Sequence, residues 1–525
     1  MNNDIFPDPL DSAVKSLFGL SYLFPYQRLV ITNILEAAQA AGISVNWPDQ
    51  ETGEIPAEEP AAEDLSDRVS TGRQIVILPT GAGKSLCFQL PAMLIDGLTL
   101  VIYPILSLMA DQERRLREKG FEPVIIRGGQ SREERDSIWE KLQGGHRPTT
   151  CSSGQTGKFI IANPEVLLTP QVKRQLEKIR VAHVVIDEAH CVSEWGESFR
   201  PSYLEIGSII NALKPPLVTA FTATASSPVL EKIGKYIFGN SEALQIVGNP
   251  DRPNISYSAK GCICRDLAVR DLLAVRARPA IVFCSSRPGT EKLARYLRNE
   301  FAEMGFNWHR EIRFYHAGLN REEKTDVEKW FINNTEAVLC ATCAYGMGVD
   351  KADVRTVIHR DCAPSVEAYL QEAGRAGRDG KQSRAILLWG PEDEAALARA
   401  KTSANHSRIS ALLRYAGDIN LCRRHSLLAL LDYDANGEVP ENLCCDVCEN
   451  KASAILREEI STMEFFHRNK RRFTSFEAAS ILAASKIIRW SEAEASMVID
   501  FLLKTGKLKN IEHFPWKGKI TVKKA

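Results

Sequence analysis

The chain has 525 residues, room for three or four domains at roughly 150 residues each. Its hydrophobic fraction of 44% and charged fraction of 25% are ordinary for globular protein, and no apolar run reaches the roughly 18 residues of a membrane helix. Lys plus Arg balances Asp plus Glu at 66 each, which excludes a simple polycation.

The balance hides an asymmetry. Residues 451–525 carry 15 Lys/Arg against 8 Asp/Glu, and the first 450 carry the matching acidic excess. This predicts either a phosphate-binding appendage or a solvated basic face. The polar, proline-broken opening MNNDIFPDPLDS does not read as a signal peptide, so a cytoplasmic protein without membrane contact is expected. In that compartment the 13 cysteines are thiols or metal ligands.

In chain order, residues 47–70 come first. They hold eight acids, one Arg and three prolines, a composition that predicts a disordered insertion. Residues 143–157 predict a second loose stretch. Around these stretches, QIVILP, LTLVIYP, KFIIANP, AHVVIDE and PLVTAFTAT predict buried strands, each followed by a helix-length segment. That is the pattern of an open parallel α/β sheet. It restarts with RPAIVFCSS and runs through EIRFYHAG and EAVLCATCA to SRAILLWG. Two lobes are expected, residues 1–250 and 251–400, divided near Asp251–Asn254. A helical module with a cysteine cluster follows at 401–452. In 453–525, a helical run, two capping-box starts (Thr474/Glu477 and Ser491/Glu494) and a strand–turn–strand predict a winged helix.

Three motifs carry chemistry. ILPTGAGKS leaves a strand and opens a helix. There Thr80, Gly81, Ala82 and Gly83 can wrap phosphates with backbone N–H groups. Lys84 reaches the β/γ-phosphates and Ser85 binds Mg²⁺, which makes ATP the expected ligand. VVIDEAH puts Asp187 and Glu188 at the carboxyl edge of the sheet, the first for Mg²⁺ and the second for the attacking water. In YLQEAGRAGRDG, Gln371, Arg375 and Arg378 sit in a glycine-broken segment. Such arginines neutralise charge developing on the γ-phosphate; the plainer reading is surface arginines in a loop.

With these motifs in order, the chain resembles the RecQ family of superfamily 2 DNA helicases over nearly its whole length. The resemblance implies two tandem RecA-like parallel-sheet lobes, then a helical zinc module and a winged helix. CVSEWGESFRPSY resembles the family's aromatic-rich loop, so Trp195, Phe199 and Arg200 are expected on single-stranded DNA, where rings stack on bases. Taken alone, a Trp near a strand end is more often core. Asp350, in CATCAYGMGVDKADVR, is expected to close on nucleotide. Gln27 keeps the place of an adenine-reading glutamine. The Arg that usually precedes Pro-x-Gln is missing from Leu23-Phe24-Pro25-Tyr26-Gln27. Cys422, Cys444, Cys445 and Cys448 are expected to bind Zn²⁺. Cys444 adjoins Cys445 where the family usually leaves two residues, so a three-ligand site with one incidental thiol stays open.

At the C-terminal turn, Phe514, Trp516 and Lys517 pose two readings. An exposed ring acts as a strand-separating pin beside phosphate-holding lysines, or both rings pack inward. The expectation overall is ATP-dependent, 3′→5′ unwinding of DNA at single-stranded and duplex junctions, in repair, recombination or defence. The rivals are an ATP-driven DNA clamp or remodeller that separates no strands, and an RNA helicase.

Overall fold

The computed structural model describes residues 8–523 apart from 21, 49–71, 80–81, 144–155, 195–199, 224–225, 250, 344–350, 400–402, 432, 434–443 and 486–488. The chain divides into two compact units, Met1–Pro250 and Asp251–Ala525.

The first unit is built on seven strands: β1 (Arg73–Ile77), β2 (Leu98–Ile102), β3 (Glu122–Ile126), β4 (Thr156–Ala162), β5 (Val181–Ile186), β6 (Leu217–Thr222) and β7 (Leu244–Val247). They form one parallel sheet in the order β3-β4-β2-β5-β6-β1-β7. Every residue of β5 and β6 is buried, as the near-continuous apolar runs require of a sheet covered on both faces. Alternation divides the strands between two cores. Val76, Val101 and Val185 pack on one face, with the helices Pro25–Ala40 and Lys84–Leu94. Ile77, Ile102, Val184 and Ile186 pack on the other. Residues 49–70 of the acidic stretch lie outside the described residues. Trp47, at its start, instead packs against the first core. Most of the stretch 143–157 is also outside, but Thr156 and Gly157 already belong to β4.

The second unit repeats the plan with β8 (Ile255–Gly261), β9 (Ala280–Phe283), β10 (Ile312–Tyr315), β11 (Val338–Ala341), β12 (Thr356–His359) and β13 (Ser383–Trp389). Their order is β10-β11-β9-β12-β13-β8, again all parallel. The edge strand β8 is covered rather than left open. Tyr257 N–H donates to the Cys444 carbonyl at 3.2 Å, Asp446 N–H to the Tyr257 carbonyl at 3.1 Å, and Ala259 N–H to Asp446 Oδ2 at 3.0 Å.

Three helices follow at the C-terminal end, Arg457–Arg468, Ser475–Ala483 and Glu492–Lys504, and then a two-stranded antiparallel ribbon, β14 (Leu508–Asn510) and β15 (Ile520–Val522). This is a winged-helix arrangement. Both capping boxes form: Glu477 accepts from Thr474 N–H at 2.8 Å and Glu494 from Ser491 N–H at 2.8 Å. Phe466, Leu482, Trp490, Leu502 and Ile520 share a core with Ile263 and Leu267, so this module is packed onto the body of the second unit.

One polar group sits deep in the first sheet. His183 Nε2 lies 2.9 Å from Thr219 Oγ1, and Gln74 Nε2 donates to the same hydroxyl at 3.2 Å. Burial pushes the imidazole down to about 3, so it stays neutral in the fold while the unfolded chain takes up a proton below about 6.5. Its stabilising contribution is therefore complete above pH ~6.5 and is lost as pH falls toward 3, by up to about 1.4 kcal/mol per pH unit. Urea denaturation of the full chain between pH 7 and pH 5 should show this slope, and His183→Asn should flatten it. An identical slope in the variant contradicts the assignment.

Candidate active site and metal cluster

The sheet order puts the carboxyl ends of β1, β6, β5 and β2 side by side. Hydrogen bonds continue past the strand ends: Leu78 N–H to the Thr222 carbonyl (3.0 Å), Ala189 N–H to Phe221 (2.8 Å) and Asp187 N–H to Ile102 (3.0 Å). The loop after β1 thus lies on the same edge as the two carboxylates after β5, where open α/β sheets bind ligands.

Thr80 and Gly81 lie outside the described residues. Gly83 caps the helix Lys84–Leu94 with φ +73°, and a Cβ there would sit 2.5 Å from Gln27 Nε2. Only glycine combines that backbone with that approach. Gln27 itself joins two segments. Its Oε1 accepts from Phe24 N–H at 3.0 Å, and its Nε2 donates to the Ala82 carbonyl at 3.0 Å. Beside it Phe24 stacks on Tyr26 (5.5 Å, 7°) and meets Tyr22 edge-on. Lys84 Nζ donates to the Leu78 carbonyl at 3.3 Å, and Ser85 follows on the first turn. Helix N-terminal N–H groups together with a lysine make an anion site.

Asp187 is buried and accepts from Glu188 N–H at 2.9 Å. Burial, then the neighbouring Glu188, push its carboxyl up to about 7, while Lys84 pulls it back. Glu188 adopts φ +51°, unusual for a non-glycine residue. Its Oε2 lies 3.5 Å from His190 Nδ1, which is 3.1 Å from Thr222 Oγ1. Sequence reasoning assigned no role to His190 or Thr222, although both stand inside quoted motifs.

Of the expected DNA-contacting loop, Trp195 and Phe199 lie outside the described residues. Arg200 donates to the Pro104 carbonyl, just beyond β2, and lies 3.8 Å from Glu165. Asp350 is also outside. In the second unit, Gln371 lies on the helix Val366–Ala373, Arg375 is buried, and Arg378 is half-buried in the turn that follows.

The four cysteines converge. Their Sγ atoms all lie within 4.8 Å of one another, with Cys422–Cys444 at 3.6 Å and Cys445–Cys422 at 3.9 Å. Thiolates about 2.3 Å from a tetrahedral ion stand about this far apart, so the donor set fits a soft metal, with Cys444 included. Arg423 N–H and Cys448 N–H both donate to Cys445 Sγ at 3.4 Å. Hydrogen bonding from Cys422 and then Cys444, with these N–H groups, holds the Cys445 thiol well below its ordinary range.

The ribbon turn is exposed. Phe514 is 92% and Trp516 43% accessible, and the Arg471 guanidinium lies 4.9 Å from the Trp516 ring centre. Lys517 is exposed, whereas Lys519 pairs with Glu477 at 2.7 Å.

Residues 59–233 match the family model for DEAD/DEAH box helicases, and residues 265–380 that for the helicase conserved C-terminal domain. The chain is 35% identical over 397 residues to the ATP-dependent DNA helicase RecQ of Pasteurella multocida, covering 74% of this chain and 59% of that one. It is 36% identical over 338 residues to the probable ATP-dependent DNA helicase RecS of Bacillus subtilis (63% and 64%). It is 32% identical over 424 residues to the RecQ of Bacillus subtilis (78% and 68%). The chain thus spans 59% and 64% of the first two relatives' length. Among solved structures, the DUF1998 helicase MrfA bound to DNA aligns with a TM-score of 0.54 at 16% identity, covering 99% of this chain and 63% of that one. Mss116p bound to ssRNA and AMP-PNP aligns with 0.54 at 15%, covering 95% and 92%. At these identities the likeness is one of fold.

The cysteine geometry makes a direct prediction. Elemental analysis should find one tetrahedrally bound transition ion per chain, and a strong chelator should lower the melting temperature, because metal-binding energy in such modules is folding energy. Cys444→Ser should weaken metal retention as Cys445→Ser does; full retention would leave Cys444 as an incidental thiol.

Proposed function

The chain belongs to the RecQ family, and from that membership and the geometry above we propose that it is an ATP-driven DNA helicase. The observation that carries the reading is the shared sheet edge: strand-end hydrogen bonds from Leu78 and Ala189 to β6 and from Asp187 to β2 put the phosphate loop and the Asp187-Glu188 pair side by side. In this reading Ala82, Gly83 and Lys84, with Thr80 and Gly81, bind the triphosphate. Ser85 and Asp187 hold Mg²⁺, which neutralises phosphate charge when bound. Glu188 orients the attacking water, and its contact with His190 ties it to Thr222 at the end of β6. Gln27 links the base-side aromatic segment to the loop. Arg375 and Arg378, beside the nucleotide-binding Gln371, neutralise charge on the γ-phosphate, and Asp350 helps close on nucleotide and strand.

The nucleic-acid side of the reading uses Trp195, Phe199 and Arg200 on single-stranded DNA. The polarity is 3′→5′, as the resemblance implies, and the setting is cytoplasmic DNA repair, recombination or defence. No described helix is long and apolar enough to cross a membrane. The cysteine cluster holds zinc, the ion best suited to four thiolates in a closed structural site. At the wing, the exposure of Phe514 and Trp516 favours the pin over the core reading, with Lys517 on phosphate.

Two experiments test this. Lys84→Ala should abolish ATP hydrolysis, and Glu188→Gln should keep ATP binding while lowering turnover by about 10²-fold or more. Near-parental turnover in either variant removes the engine assignment. The double variant Phe514→Ala, Trp516→Ala should keep its melting temperature and DNA-stimulated ATP hydrolysis but release duplex strands more slowly. Unimpaired strand release eliminates the pin; a large drop in melting temperature restores the core reading.

A further inference from the structure

The turn bearing Arg375 and Arg378 is gripped from within its own unit by residues that no motif above contains. The helix Val366–Ala373 ends at Gly374, where its last carbonyls need donors. Arg252 meets the chain just beyond. Its guanidinium donates to the carbonyls of Gly374 (3.1 Å), Ala376 (3.2 Å) and Gly377 (2.9 Å). Asn254 Nδ2 adds bonds to the carbonyls of Gly377 (2.8 Å) and Lys381 (2.9 Å). Gly377 has φ +57°, and a Cβ there would stand 2.5 Å from Asn254 Nδ2 and 2.6 Å from the Lys381 carbonyl. The turn has no slack on this side. Arg375 falls between the gripped carbonyls and Arg378 follows the last of them.

Arg252 is held in turn. Arg424, buried on the helix that follows Cys422, pairs with Asp251 and donates to the carbonyls of Arg252 (3.0 Å) and Ile255 (2.7 Å). A continuous set of charge-assisted bonds therefore runs from the cysteine module through Asp251–Asn254 to the arginine turn.

We propose that Arg252 is a positioning residue for Arg375 and Arg378, and that Arg424 anchors it from the cysteine module. Its planar fork of five donors spans three carbonyls at once, which an ammonium does not. The proposal rests on the reading of Arg378 as a group acting in ATP hydrolysis.

The experiment compares Arg252→Ala, Arg252→Lys, Arg378→Ala and the Arg252→Ala, Arg378→Ala double variant in the full chain. Each is measured for kcat and KM of DNA-stimulated ATP hydrolysis, melting temperature and bound metal. A misplaced turn should lower kcat roughly 10- to 100-fold in both Arg252 variants, with KM for ATP and metal content nearly unchanged. In the Arg378→Ala background, Arg252→Ala should cost clearly less than it does alone, because one of the two groups it positions is gone. Parental kcat in the Arg252 variants, or an additive loss in the double variant, overturns the proposal. If Arg252→Ala does not fold, Arg252→Lys decides by its kcat and its additivity with Arg378→Ala. Parental kcat in Arg378→Ala would instead defeat the reading of Arg378 on which the proposal stands.

Discussion

The position of β6 between β5 and β1 is the constraint on which the rest of the first unit depends. One strand accepts from both neighbours beyond their regular ends, from Leu78 N–H at the Thr222 carbonyl and from Ala189 N–H at the Phe221 carbonyl. The phosphate loop and the Asp187-Glu188 pair therefore cannot separate without breaking the sheet. The consequences are electrostatic. Asp187 is buried beside another carboxylate, and its carboxyl is pushed up by both, while Lys84 opposes the shift. A buried aspartate beside a partly exposed glutamate is an environment that a divalent cation would relieve.

The second unit answers the same architecture with a different device. Its sheet ends on β8, and an open edge there would invite pairing with other chains. The cysteine segment closes it by main-chain bonds at Tyr257 and by the Asp446 carboxylate, which also accepts from Arg423 at 2.9 Å. The cysteine cluster, edge protection and the seating of Asp251–Asn254 are thus parts of one packed region. Substitution of a cluster cysteine should therefore be felt in the body of the unit as well as in the module.

Legibility in the sequence followed burial. The strands that lie inside the sheets, such as VAHVVI and LVTAFT, are continuous apolar runs and announce themselves. The segments without such a run were the ones passed over. β7 is an edge strand with only Ile246 buried, β3 is partly buried, and β8 interleaves Ser and Lys with its apolar residues. β12 is the exception, passed over although its four residues are all buried, because Arg355 and Arg360 close in on a run of only Val357 and Ile358. The motif residues Lys84, Asp187 and Glu188 were legible because phosphate and metal chemistry prescribes both residue type and spacing. Arg252, His190 and Thr222 were not, since their roles arise from neighbours far away in sequence. Lys519, next to the ribbon turn, pairs with Glu477 of a capping box, a partner far away in sequence.

Most direct is a strand-displacement measurement on short DNA duplexes with single-stranded tails of either polarity. The account predicts ATP-dependent release of the displaced strand from the 3′-tailed duplex, little from the 5′-tailed one, and none with a non-hydrolysable ATP analogue. DNA-stimulated ATP hydrolysis without strand release from either duplex would contradict it.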